Sequence, residues 1–288
     1  MKILITGVSG FVGSYLTKFF IRKGYEVSGI YRNHYPEQLE AIGCQLFCHD
    51  LRFPIKIKDS FDGIVHTASV QPKDCNDYCA HFEGNLLVAN NILKWMKECN
   101  CSRIVNFSTR NIYGEVRKDV IDESNDIINP DIYGVTKYYA EKIIENETDI
   151  DSLSLRVPGI VGPGAHDIWL VNLVDKALNN EDIIVTDYYS HNFVWIENIA
   201  EFIDLSFRNW NKGEKLKYKV VNLSSNEGIN NIDIAKEVVS RTNSHSKIII
   251  KGNTEGLFYL KDDKAREMGY SSLSVMQIVD NYLKILGY

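Results

Sequence analysis

Thr6-Gly7-Val8-Ser9-Gly10-Phe11-Val12-Gly13 follows the apolar run Ile3-Leu4-Ile5 and opens the amphipathic stretch 11–22. A strand, a glycine turn and a helix are expected in that order. Gly7 permits the tight turn, Gly10 removes a side chain where a pyrophosphate must approach, and Gly13 lets helix and strand pack closely. The helix N-terminus offers N–H groups and a partial positive charge to that anion. Three spaced glycines are common in turns; the strand before them and the helix after them make this a dinucleotide signal. Ser9, Phe11 and Val12 complete the turn expected to meet the cofactor.

Beyond this turn the first half keeps one rhythm. Strands are expected at 27–31, 45–48, 63–66, 103–107 and 152–157, with helices at about 77–97 and 131–145. Alternating β and α units imply an α/β fold, a doubly wound parallel sheet covered on both faces. After Pro158 the rhythm loosens through Gly159, Gly162, Pro163 and Gly164. Helices are expected near 169–178, 196–207, 232–241 and 274–286. This divides the chain into a Rossmann-type domain over 1–160, with return segments near 193–223, and a smaller interleaved lobe over 161–288.

Composition narrows the partners. Lys and Arg number 32 against 38 Asp and Glu, a net charge of −6 with no basic patch, which argues against nucleic acid and anionic membranes. No apolar run reaches spanning length, and Lys2–Gly7 is too short and strand-like for a signal peptide, so a cytoplasmic location is expected. Six cysteines at 44, 48, 75, 79, 99 and 101 form no C-x-x-C pair, and His49 and His81 fall out of register with them. Free thiols are expected, and no metal site.

Tyr133-Gly134-Val135-Thr136-Lys137 carries the chemistry. Residues four apart share a helix face. A free phenol with a pKa near 10 is a poor base at neutral pH, and a neighbouring ammonium favours the phenolate. Tyr-x-x-x-Lys alone usually means a solvated helix face. Here Pro130-Asp131 leads into it and Glu141 follows, while Ser108-Thr109-Arg110-Asn111-Ile112-Tyr113-Gly114 ends the preceding strand.

Together with the G-x-x-G-x-x-G spacing, these segments resemble the extended short-chain dehydrogenase/reductase superfamily, specifically its NAD(P)-dependent nucleotide-sugar epimerases, dehydratases and reductases. The resemblance covers essentially the whole chain. It implies that Tyr133 is the acid/base, that Lys137 supports it and holds the cofactor ribose, and that the Thr109 hydroxyl binds the substrate oxygen. It places Asp50 and Leu51 against adenine, Thr67, Ala68 and Ser69 beside the pyrophosphate and ribose, Asn85 near the cofactor, and Pro158 in the loop that meets the nicotinamide. Phe193–Ala200 resembles the family's return to the sheet. The family commonly forms homodimers through two helices, here about 77–97 and 131–145.

Departures bear on the reaction. Tyr31-Arg32 stands where NAD-binding members end the second strand with a carboxylate, so Arg32 is expected to pair a 2′-phosphate and the cofactor to be NADP, with NAD as the alternative. Arg110-Asn111 replaces the acid pair that follows the catalytic Thr in dehydratases, and an arginine cannot abstract a carbon-bound proton. Gly159 and the run Ser190-His191-Asn192-Phe193 lack the Asn and Arg common in hexose epimerases. The expected activity is reduction of a 4-keto-6-deoxy sugar nucleotide. The alternatives are a nucleotide-sugar epimerase that retains NAD and a non-catalytic cofactor-sensing regulator.

Overall fold

A computed structural model describes residues 1–74, 77–116, 118–186, 190–225, 227–252 and 259–288. The chain divides into two compact units. The first comprises Met1–Glu115, Ile127–Arg156 and Ile203–Val221; the second comprises Val116–Asp126, Val157–Phe202 and Asn222–Tyr288.

Seven strands form the sheet of the first unit. β1 (Lys2–Thr6), β2 (Glu26–Tyr31), β3 (Gln45–Cys48), β4 (Gly63–His66) and β5 (Arg103–Thr109) are joined by strands Asp151–Val157 and Val220–Asn222. In space the order is β3, β2, β1, β4, β5, then 151–157 and 220–222. The pairs from β3 through β5 are parallel, with Thr6 opposite His66 and His66 opposite Asn106. The order reverses between β1 and β4, and such a switch point opens a ligand crevice at the carboxyl ends of the strands. Strands buried on both faces read as continuous apolar runs, which is why Ile3-Leu4-Ile5 is wholly buried.

One face packs Leu4, Ile64 and Ile104 against Ile92, Trp95, Ala140 and Ile144 of helices Val88–Glu98 and Ile132–Glu145. On the other, Phe20 of helix Phe11–Arg22 meets Phe207 edge-on at 6.3 Å, and the Tyr25 hydroxyl donates to Asp204 at 2.7 Å.

Two expectations change. The single helix over 77–97 is Tyr78–His81 and Val88–Glu98 with a π-helical segment, Phe82–Leu87, between them. Such a wide turn adds a residue to the ring and re-aims what it carries. The strand Phe193–Trp195 does not enter the large sheet; it pairs in parallel with Gly159–Val161, and the returning strand is Val220–Asn222.

The second unit builds its core from Leu170, Val174, Ile234, Val238, Ile278 and Leu283, with Val161 and Phe193. Helices Trp169–Leu178, Asn231–Arg241 and Val275–Ile285 supply the larger part. Ser274 caps the last through a reciprocal box with Gln277. Among the described residues no helix is long and apolar enough to cross a membrane, and no group of three or more His, Cys, Asp or Glu is placed to hold a metal ion. Cys44, Cys48, Cys79, Cys99 and Cys101 are free thiols; Cys75 lies outside the described residues.

Candidate active site

The turn after β1 is built as the glycine spacing requires. Gly7 has a positive φ of 73°, and a Cβ there would stand 2.9 Å from the Ala68 backbone. A Cβ on Gly13 would overlap the Gly7 carbonyl. Gly10 is the exposed N-cap of helix Phe11–Arg22 and contributes no side-chain cap, so no side chain covers the first-turn amides. Phe11 and Val12 are half-buried in that turn. The Ser9 hydroxyl donates to the His34 carbonyl at 2.7 Å, pinning the turn to the segment after β2.

The Thr6 hydroxyl organises the end of β4. It accepts from the Thr67 and Ala68 amides at 3.2 and 3.3 Å and lies 2.8 Å from His66 Nδ1, while the Thr67 hydroxyl donates to the Thr6 carbonyl at 2.6 Å. Burial pushes the His66 imidazole down to about 3, and the Lys137 ammonium adds to the fall. His66 is therefore neutral at physiological pH.

At the end of β3, Asp50 is bound by Arg52, which donates from Nη2 at 2.7 Å and also reaches Glu83 at 3.3 Å. These hydrogen bonds from Arg52, with a smaller field from exposed Arg32, hold the Asp50 carboxyl below its usual range. Leu51 is buried, and Asn91 donates to its carbonyl at 3.0 Å.

Asn85, in the π-helical segment, joins three elements. Its Oδ1 accepts from the Val70 amide at 2.8 Å and the Ser69 hydroxyl at 3.0 Å, and its Nδ2 donates to Val70 O and Thr136 Oγ1 at 3.2 and 3.1 Å. The loop after β4 is thus tied to helix Ile132–Glu145. That helix starts where Asp131 accepts from the Gly134 amide at 2.7 Å. Thr109, at the end of β5, accepts from the Asn111 amide at 3.2 Å and caps the following 3₁₀ turn.

These supports converge on Tyr133. Its hydroxyl is close to those of Ser69 and Thr109, and its ring lies 6.1 Å from that of His81. Both neighbouring hydroxyls favour the ionised phenol, as donors to its oxygen do. Burial nevertheless pushes the phenol up to about 12, with Asp131 and Asp74 adding to the rise. Lys137 is 3% exposed, and burial pulls its ammonium down to about 8 against the opposing field of Glu141. Lys137 lies one helical turn beyond Tyr133 on helix Ile132–Glu145. Glu141 itself pairs with Arg156, and Pro158 follows strand 151–157 within the segment Val157–Phe202 of the second unit.

Ser69, expected beside the pyrophosphate and ribose, also lies near the Tyr133 hydroxyl. His66 and the Glu141–Arg156 pair carried no local signal, because each lies within a strand or helix whose periodicity explains it.

A bare helix N-terminus on a glycine turn, at the switch point of a parallel sheet, defines the dinucleotide-binding Rossmann class. The model of the NAD dependent epimerase/dehydratase family matches residues 3–224, and the chain belongs to that family. The chain is 24% identical over 275 residues to dTDP-D-glucose 4,6-dehydratase of Dictyostelium discoideum, covering 83% of this chain and 62% of that protein. It is 22% identical to Protein CapI of Staphylococcus aureus over 99% of each. Among solved structures, UDP-glucuronic acid 4-epimerase from Bacillus cereus in complex with NAD superposes with a TM-score of 0.80 at 21% identity, covering 99% of this chain and 94% of that one. Epimerase is the activity named most often among the matched proteins.

The residues present fit a nicotinamide dinucleotide. The exposed space before Gly10 is one that a Cβ would begin to fill, its nearest neighbour being the Gly7 carbonyl at 3.3 Å. Gly7, Gly10 and the amides through Gly13 would hold the pyrophosphate, Asp50 and Leu51 the adenosine end, and Lys137 the ribose beside Tyr133.

Proposed function

We propose that this chain is a nucleotide-sugar epimerase that keeps NAD bound through the catalytic cycle. The observation that carries the proposal is the Tyr133 hydroxyl held between Thr109 and Ser69, with Lys137 one helical turn on. A bound nicotinamide would supply reversible hydride transfer at the sugar carbon. Tyr133 takes the proton from the carbinol oxygen as the carbonyl forms and gives it back when the carbonyl is reduced. Thr109 is placed to hydrogen-bond that oxygen, and Ser69 gives the phenol a second partner, so the proton remains in a buried hydroxyl network. A phenol raised to about 12 by burial needs positive charge to act as a base. Lys137 supplies one such charge, and an oxidised nicotinamide would supply another.

The cofactor end supports NAD. Arg52 pairs with both Asp50 and Glu83, and the exposed Arg32 adds only a weak field at Asp50. A 2′-phosphate placed there would compete with carboxylates already present for the same guanidinium groups. The activity named among the relatives favours an epimerase in the same direction.

A second function, reduction of a 4-keto-6-deoxy sugar nucleotide with NADPH, is favoured by one specific observation. Tyr31-Arg32 stands where a ribose-binding carboxylate is otherwise found. In either case Tyr133→Phe removes the transferable proton and little volume. Turnover is expected to fall by about 10²–10⁴-fold with cofactor content unchanged. Activity within a few-fold of the wild type would remove Tyr133 from the chemistry and end both proposals.

A further inference from the structure

Glu141 lies one turn beyond Lys137 on the same face of helix Ile132–Glu145, and both side chains are buried. Lysine and glutamate four apart normally pair, and the attraction is stronger away from water. Here they do not. Arg156, near the end of strand 151–157, takes both carboxylate oxygens. Its Nη2 donates to Oε1 at 2.6 Å and its Nε to Oε2 at 3.0 Å. The third edge of the guanidinium donates from Nη1 to the Tyr113 hydroxyl at 2.9 Å. Tyr113 lies four residues beyond Thr109, at the end of the 3₁₀ turn that Thr109 caps. One planar cation therefore joins the helix bearing Tyr133 and Lys137 to the segment bearing Thr109.

A buried ion pair is seldom there for stability, since an apolar pair of similar volume often does as well. The fork geometry of arginine gives it another use: it matches a carboxylate edge-on, which an ammonium cannot do. We propose that Arg156 is a positioning residue that holds Glu141 away from Lys137, leaving the Lys137 ammonium available to the cofactor ribose and the Tyr133 phenol, while Tyr113 fixes the guanidinium and sets the Thr109 segment against the same helix. The Glu141 charge remains near enough to favour the ammonium over the amine at a fully buried site. The titratable groups around Lys137 are His66 at the end of β4, Tyr133 and Glu141 on its own helix, and Arg156 and Tyr113 behind Glu141; His81 adds its ring beside Tyr133. Neutral His66 offers no charge to replace Glu141.

The inference rests on the assignment of Tyr133 and Lys137 as the proton-transfer pair, but its test needs no sugar substrate. The Lys137 side chain is titrated by NMR in full-length protein carrying ¹³C-labelled lysine, with Lys137→Met identifying the resonance. NAD binding is measured by calorimetry on the same samples. In Arg156→Met, Glu141 is released onto Lys137; the lysine pKa is expected to rise by about one or more, and NAD affinity to fall about tenfold. In the isosteric Glu141→Gln the pKa is expected to fall below the wild-type value. Glu141→Leu combined with Arg156→Met removes both charges and is expected to recover NAD affinity to within about threefold of wild type. Failure of the folded double variant to recover would mean that the pair only supports the fold. An unchanged Lys137 titration in Glu141→Gln would overturn the proposal even if Arg156→Met does not fold. Wild-type turnover in Tyr133→Phe would instead defeat the functional assignment and leave these titrations standing as a test of the clamp.

Discussion

Tyr133 and His66 both have their proton equilibria set by burial, in directions that oppose charge. The phenol, pushed up to about 12, stays protonated at neutral pH unless positive charge is brought beside it. His66, pushed down to about 3, stays neutral and keeps its hydrogen bond with Thr6. Its folded value lies below its unfolded value of 6.5, so the unfolded chain binds more protons between the two. The stability this neutral imidazole contributes is fully present above pH 6.5 and is lost as pH falls toward 3. His66→Asn removes the titration and leaves a small polar side chain. Between pH 7 and pH 4 the wild type is expected to lose about 3 kcal/mol more than the variant, on an order-of-magnitude scale. Urea unfolding of both proteins across that range checks it. Parallel pH profiles would mean that His66 is already protonated or solvated in the folded protein.

The loop after β4, the π-helical segment and helix Ile132–Glu145 meet at Asn85, whose side chain makes four hydrogen bonds to Ser69, Val70 and Thr136. Asn85→Ala leaves the Val70 amide and carbonyl without that partner and frees Ser69 from its acceptor. Unsatisfied buried groups cost about 1–3 kcal/mol each. A loss of about 2–4 kcal/mol is expected on thermal or urea unfolding, together with a lower kcat as Ser69 leaves the phenol. A variant as stable and active as wild type would show that the loop is held by other contacts. At this scale the sequence was a good guide wherever period and glycine spacing decide the structure: helices 11–22 and 169–178 and strands 45–48 and 63–66 lie where their patterns put them. It was a poor guide to pairing. A π-helical turn keeps the apolar spacing of an ordinary helix over so few residues, so Phe82–Leu87 was invisible. The strand character of Phe193–Trp195 was legible, but its partner Gly159–Val161 follows from tertiary contacts that no local pattern encodes. Glu141, Arg156 and Tyr113 lie on a helix, a strand and a strand-end turn far apart in sequence; that they meet is a matter of sheet order.

At the scale of the whole molecule, helices of the first unit leave Tyr78 71%, Phe82 52% and Tyr139 55% exposed. Aromatic side chains this open suit a buried contact, and the segments 77–97 and 131–145 are those through which a homodimer is expected. Sedimentation velocity is expected to give twice the chain mass for the wild type and the chain mass for Phe82→Glu combined with Tyr139→Glu. A monomeric wild type would reject this surface as the interface. The same helices carry Asn85, Tyr133 and Lys137, so losing the dimer should also lower activity. In an epimerase cycle hydride and proton leave the sugar and return to it, with nothing consumed. The most direct measurement follows purified enzyme with UDP-sugars by proton NMR in D₂O, with no cofactor added. The expected result is an equilibrium mixture of two epimers, with the hydrogen at the inverted carbon remaining protium. Absence of any isomer, together with oxidation of one NADPH per product when a keto-sugar nucleotide is supplied, would contradict it.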